Sequence, residues 1–514
     1  MTFEYVEAFP LELWQECLQS VDKPDLHALS LSSRRLREIS FPLLMKNISF
    51  VIPSPELSGS SPEDADISPL ILEKRIFEKL EAIEQRFAAI SNSEQRTHVQ
   101  KLNFWAKTKD MISAGNVQQV ALSAEGETKY SATCKQIQES ISDALCRFRR
   151  LRQLHIGFIQ FPNRFFQAAA DLPYLEHLSL FEVDLSHLEL DRLLDPLTFH
   201  VSGHFSRINP SLSTVKHIFC PRNLRDLRIS DSNTILVLNS FVHQSIVCSN
   251  LVKIFLFATP AECNVLVDFL KLCPSLKTLQ LDDSFHDPFS SYNRWAGFIP
   301  GVAAPRLSSF NGPESFAAAL SPNRPITSMN LGRKNPQVRQ NASDQDFSFD
   351  LLASLSLGCV PITSLDFGMR VVSKIGFAAI TEIFPKLRSL KIHVLHPMHQ
   401  GVTNDLSYLA LMTLLEANEL PLPKTLRSLQ LIQGDIIDFS NPPSRAEVYP
   451  AEMQQRLLRK LSINNPELLN AIFGVLPTKW ERKVDENDNY DWAEPYKDAE
   501  YLRLETLMKQ FLNR

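Results

Sequence analysis

The side chains that most often carry chemistry are sparse in this chain and poorly spaced for it. His393, His396 and His399 form the one local histidine cluster. A spacing of three would bring imidazoles to one helix face for a metal, but Pro397 interrupts such a helix and no cysteine lies nearby. The eight cysteines, at 17, 134, 146, 220, 248, 263, 273 and 359, contain no Cys-x-x-Cys pair, a pattern that fits reduced thiols better than a zinc site or a disulfide framework. There is no Gly-x-Gly, so neither a dinucleotide fingerprint nor a kinase glycine loop is available. P-loop, Gly-x-Ser-x-Gly and His-Glu-x-x-His motifs are also missing. The expectation is a chain with no catalytic residue, no metal ligand and no cofactor. The chemistry left is recognition, and Phe181, Arg228, Phe255 and Phe257 are its candidates, because aromatic and guanidinium groups concentrate binding energy at interfaces.

What must position those four residues is a recurring phrase, Leu-x-x-Leu-x-Leu, with other large apolar residues allowed. It runs from Val99-Gln-Lys-Leu102-Asn-Phe104 and Leu151-Arg-Gln-Leu154-His-Ile156 through Leu175, Leu224, Leu251, Leu276, Ile326, Ile362 and Leu387 to Leu426-Arg-Ser-Leu429-Gln-Leu431, with a weaker copy at Leu307-Ser-Ser-Phe310. The last two apolar residues of each phrase point to one face of a short strand, and the first anchors the turn into it. Residues between and just after them, among them His155, Ser179, Gln280, Asn330, Asp366, Lys391 and His393, would face solvent. Most are small or polar. Phe181, Phe255 and Phe257 depart from that, either as a binding patch or beneath a loop or tail that covers them.

Helical spacing precedes most phrases, as in Ile137, Ile141, Leu145 and Phe148, or Ile375, Phe377, Ile380 and Phe384. Each unit is then helix, loop and strand, and buries its apolar faces only by stacking on its neighbours. Several intervals lie between 24 and 27 residues, and the 49-residue gap from Leu175 to Leu224 holds a degenerate repeat or a loop. The ladder is expected to stop beyond Ile432. The pattern resembles a leucine-rich repeat. That resemblance implies a horseshoe-shaped solenoid over 99–440, whose concave face would bind a protein.

The N-terminus reads differently. Pro10 at a first helical position precedes Leu11, Trp14 and Leu18, which recur at helical spacing. Lys23-Pro24-Asp25 breaks that helix, and Asp25 is placed to cap a second one carrying Leu26, Leu29, Leu36 and Ile39, with Phe41-Pro42 ending the bundle. Asn47 to Ile52 reads as a strand. A forty-residue helical hairpin cannot bury a full core alone, so part of its apolar face is expected to want a partner. The order Phe9-Pro10, Leu13-Trp14, Asp25-Leu26, Leu29 and Leu31-Ser32-Ser33-Arg34 resembles an F-box, with Phe9 where the family opens with Leu and Leu31 where it usually has Val. The resemblance implies that Phe9, Pro10, Leu11, Leu13, Trp14, Cys17, Leu18, Leu26, Leu29, Leu31 and Ser32 meet the Skp adaptor, and through it a cullin. The alternative is that these side chains pack the chain's own helices.

The expected layout is an α/β repeat: a small helical F-box (1–48), a flexible Pro/Ser/acidic loop (54–69), a capping helix region (70–98), the solenoid, and a helical C-terminal cap (441–514). The family implies a substrate receptor of a Skp–cullin–F-box ubiquitin ligase, similar to the expanded receptor sets of filamentous fungi. The rival reading is a repeat scaffold with no ligase role. A formal charge of −5 gives no basic field for nucleic acid, and no stretch approaches the 18 apolar residues of a membrane span. With no basic leader ahead of an apolar run, the chain is expected in the cytosol or nucleus.

Overall fold

Helix α1 (Leu11–Leu18) starts directly after Pro10, which is its N-cap (φ −56°, ψ 143°) and not its first helical residue as expected. The computed structural model describes residues 10–53, 69–106, 122–183, 190–202, 220–230, 234–257, 263–282, 299–331, 349–369, 374–395, 408–417, 419–434, 451–474, 478–484 and 490–496. It divides into two units, Met1–Leu251 and Val252–Arg514.

In the first unit the second expected helix is two. Helix α2 (Lys23–Ser32) is preceded by Asp22 rather than capped by Asp25, which lies in its first turn. Ser33 is extended (φ −157°, ψ 158°), and its Oγ accepts the Leu36 N–H at 3.1 Å to open α3 (Arg34–Lys46). Pro42 does not end the bundle: α3 continues through it to Lys46. The N–H that Pro42 lacks costs one helical hydrogen bond. Beyond it, Leu43 and Leu44 pack on the cluster of Leu18, Leu26 and Ile39, and that burial carries the helix on.

Strand β1 (Asn47–Ile52) follows Lys46 without a loop and alternates exposed and buried side chains. Strands β2 (Lys101–Ala106), β3 (Gln153–Gly157), β4 (His177–Phe181), β5 (Thr198–Ser202) and β6 (Asp226–Ile229) add to it in order, all parallel, giving an open sheet. The register sets Ile48, Leu102, Leu154, Leu178, Phe199 and Leu227 in one buried column, and Phe50, Phe104, Ile156, Leu180, Val201 and Ile229 in the next. One main-chain bond recurs at the strand starts: Gln153 N–H to Gln100 O, His177 to Arg152 and Thr198 to Glu176. The gap between Leu175 and Leu224 therefore contains a repeat, β5, with buried Pro196 where the other phrases carry their anchoring aliphatic residue. Helices α4 (Pro69–Asn92), α5 (Ala124–Leu145), α6 (Asn163–Ala170) and α7 (Thr234–Gln244) connect the rungs. Ile76, Leu80, Phe87 and Ile90 form the buried stripe of α4, with Ile83 half-buried. Phe87 sits 5.6 Å from the Phe50 ring and 6.1 Å from Phe104, which itself stacks on Phe50 at 5.5 Å. The expected loop at 54–69 lies outside the described residues up to 68.

The second unit repeats the scheme. Strands β7 (Lys253–Phe257), β8 (Thr278–Asp282), β9 (Ser309–Asn311), β10 (Ser328–Leu331), β11 (Ser364–Met369), β12 (Ser389–Leu395) and β13 (Ser428–Gly434) pair in parallel. Helices α8 (Cys263–Lys271), α9 (Glu314–Leu320), α10 (Phe349–Ser356), α11 (Lys374–Ile383), α12 (Tyr408–Glu416) and α13 (Ala451–Asn464) intervene. The ladder does not stop at Ile432. Strand β14 (Asn470–Gly474) pairs in parallel with β13 and buries Ala471 and Phe473, with buried Leu468 as anchor. An antiparallel hairpin, β15 (Thr478–Val484) and β16 (Tyr490–Tyr496), then pairs with β14. Trp480 Nε1 donates to Gln454 Oε1 at 2.8 Å and Trp492 Nε1 to Ser462 Oγ at 2.9 Å, tying both hairpin strands to α13. The last part of the expected helical cap, 497–514, lies outside the described residues. No described helix is long and apolar enough to cross a membrane.

Between α9 and β10 the fully buried Arg324 donates to the carbonyls of Ala303 (2.9 Å), Pro300 (2.6 Å), Ile299 (3.5 Å), Pro322 (3.2 Å) and Leu320 (2.5 Å). No carboxylate answers it among the described residues. Burial lowers its pKa to about 10, so it stays charged at neutral pH.

Candidate partner-binding surfaces

The N-terminal helices sort the expected adaptor residues by burial. Leu18 and Leu26 are interior, with Ile39 at their centre, and Trp14 and Leu29 are half-buried against them. Pro10, Leu13, Cys17, Leu31 and Ser32 are on the surface, Leu13 at 44% and Leu31 at 64% exposure. The Ser32 hydroxyl turns back to the Leu29 carbonyl at 2.7 Å. Phe9 and the Leu11 side chain lie outside the described residues. Five of the expected residues, Pro10 ahead of α1 and the others on α1 and α2, are thus exposed, and the interior ones set the shape of the helices.

On the first unit's sheet the odd positions of β2 to β6 form three rows on the side away from the buried columns. The C-terminal row holds Trp105, Gly157, Phe181 and Ser202, and the middle row Asn103, His155, Ser179, His200 and Arg228. The first row is Lys101, Gln153, His177, Thr198 and Asp226. Phe181 lies 5.0 Å from the Trp105 ring and meets His200 edge-on at 4.8 Å, and Phe158 lies 6.4 Å from Trp105. Trp105 reaches across β3 because Gly157 stands between: a Cβ there would come within 2.2 Å of the indole. Arg228 is held by Asp226, Nη2 to Oδ2 at 3.0 Å and Nε to Oδ1 at 3.3 Å.

The expected trio of phenylalanines divides differently. Phe181 has as ring neighbours His200, because the unrecognised strand β5 lies beside β4, and Trp105, which reaches it over Gly157. Phe255 and Phe257 belong to the second unit, half-buried and in register with Gln280 and Asp282. In that unit Asp366 pairs with Lys391 at 3.2 Å and with His393 Nε2 at 3.2 Å. His396 and His399 lie outside the described residues, and among those described no group of three or more His, Cys, Asp or Glu is arranged to hold a metal. Sequence reasoning missed Trp105, although its own alternation rule, applied to the phrase at Val99, assigns Asn103 and Trp105 to the exposed face.

Burial, with the charge of Lys101 secondary, pushes the His155 pKa down from 6.5 to about 4, and burial also lowers His200. The unfolded chain takes up a proton at residue 155 as pH falls through 6.5, while the folded chain does so only near 4. Stability therefore drops across that window, by roughly 1–3 kcal/mol. His155→Gln should flatten this part of the pH dependence in chemical-denaturation curves, and an unchanged slope would assign it to other groups.

Residues 7–41 match the F-box domain family, which spans α1, α2 and most of α3. Residues 112–196 match the LRR repeats of FBD-associated F-box protein At5g56370, a stretch that includes β3 and β4. No curated protein matches the chain.

Proposed function

We propose that this F-box protein with leucine-rich repeats is the substrate-recognition subunit of a Skp–cullin–F-box ubiquitin ligase. Its α1–α3 module docks on the Skp adaptor, and its repeat ladder, wound as a solenoid, holds a target protein. The observation that carries the reading is the pairing of a three-helix module, exposing Pro10, Leu13 and Leu31, with an in-register parallel ladder that begins one residue after the module ends. Such a receptor accelerates ubiquitin transfer by proximity: it raises the effective concentration of a target lysine beside a thioester carried by another subunit, and no side chain of its own reacts.

The test is size-exclusion chromatography of the full chain with recombinant Skp adaptor. A one-to-one complex should form and be lost, with folding unchanged by circular dichroism, in Pro10→Ala/Leu13→Ala. A wild-type chain that elutes apart from the adaptor would overturn the receptor reading and leave a repeat scaffold. A complex with the adaptor that takes up no cullin would favour a scaffold tethered through its F-box.

A further inference from the structure

The exposed face of β2–β6 combines features that a plain structural sheet does not need. Three aromatic rings, Trp105, Phe158 and Phe181, gather at the C-terminal ends of the strands, with the His200 imidazole beside them in the middle row, all half-buried. Two local devices hold them there. Gly157 leaves room for the Trp105 indole to cross β3. Phe158 has a φ of 59°, a left-handed conformation that is strained for a bulky residue, and its N–H is fixed to the Phe181 carbonyl at 2.7 Å. Strain of this kind persists where the surroundings over-determine it, and here it turns an aromatic ring toward the cluster.

Charge on the same face is one-sided. Lys101 starts the strand that Trp105 nearly ends, and it has no partner among the described residues. His155 and His200, in the middle row, are held neutral by burial. The acid of the three strand rows, Asp226, is already engaged by Arg228. His155 Nε2 is buried without a hydrogen-bond partner among the described residues. An apolar anchoring point thus lies about 13 Å from an unanswered cation, the length of four residues of β-strand.

We propose that this face is the target-recognition surface and that it takes an extended peptide bearing an aromatic anchor and a carboxylate about four residues apart. The anchor lies on the Trp105–Phe181 rings, where contact area is rigid and loses little side-chain entropy. The carboxylate meets Lys101. A cationic or strongly polar peptide is disfavoured, because it would leave Lys101 unanswered and cover aromatic surface without filling it. The inference deepens the receptor reading by giving the target a chemical class. Its test uses the full chain without adaptor, so the two can fail separately.

A random 12-residue peptide library displayed on phage is panned on the full chain. Selected peptides should share Trp, Phe or Tyr with Asp or Glu three to five residues away. Measured by fluorescence polarisation, a selected peptide should bind at least tenfold more weakly to Phe181→Ser and to Lys101→Glu. The Lys101→Glu chain should regain it when the peptide's acid is replaced by Lys. That charge exchange keeps the test sharp even if Phe181→Ser folds poorly. Absence of the shared pattern, binding indifferent to both substitutions, or charge exchange without recovery would each overturn the proposal. A concentration-dependent dimer abolished by Phe181→Ser would give the face to a second copy of the chain and overturn it equally.

Discussion

Arg324→Met lowers the stability of the second unit by about 3–5 kcal/mol. Two opposing effects set that figure. Removing a buried guanidinium relieves a desolvation cost of several kcal/mol. Against it stand five carbonyls, two of them on Ile299 and Pro300, one on Ala303, and two at the end of α9 on Leu320 and Pro322. Each bond to a charged donor is worth about 1.5–3 kcal/mol, and a buried carbonyl left without a donor is itself destabilising. The loss exceeds the relief because methionine fills the volume and answers none of the carbonyls. Arg324→Lys should recover less than half, since an ammonium is a point charge that cannot reach carbonyls on opposite sides of a planar fork. Urea unfolding followed by circular dichroism is the measurement. A midpoint unmoved by Arg324→Met would mean that water replaces the guanidinium and that the site is less closed than its burial indicates.

The second large effect is at Phe104. Its ring is fully buried and lies within 6.5 Å of four other phenylalanine rings: Phe50, Phe87, Phe161 and Phe165. Phe104→Ala should cost about 3–5 kcal/mol, because neighbours drawn from one strand, two helices and a connection cannot all collapse into one vacancy. Phe104→Leu keeps most of the volume and should cost less than half of that. The adjacent Trp105, on the other side of the same strand, provides the contrast. Trp105→Ala should leave the unfolding midpoint nearly unchanged while weakening the selected peptides. If both substitutions destabilise the fold alike, the exposed rings are serving the sheet rather than a ligand.

Much of the ladder was legible because period-two burial and a turn anchor leave a strong mark on sequence. The rungs that escaped each lack one part of that mark. Strand β5 has Pro196 in place of the anchoring leucine, and β14 has Ala471 in a buried place the other phrases give to a large side chain. Both positions tolerate the change because the neighbouring rungs already fix register and supply the packing. At the N-terminus, helical periodicity runs on past Ser33, so only the Ser33–Leu36 cap bond shows where one helix becomes two. Pro42 misleads in the opposite direction, since tertiary burial of Leu43 and Leu44 outweighs one missing hydrogen bond. The aromatic platform was least legible. Trp105 and Phe181 are 76 positions apart, and their meeting depends on a glycine in the strand between them.

The passage from α3 to β1 has a consequence for how a target would be presented. Lys46 ends the helix and Asn47 begins the strand, the Gln100 N–H closes on the Lys46 carbonyl at 2.9 Å, and Lys23 Nζ reaches the Asn47 carbonyl at 2.8 Å. The joint is welded on both sides. A receptor on a slack tether lets its cargo wander through a sphere, and almost any lysine can come within range. If the chain is the receptor proposed above, its welded joint would hold the cargo at a single bearing, and the lysine modified would be chosen by surveying: the one that happens to lie where the arm points.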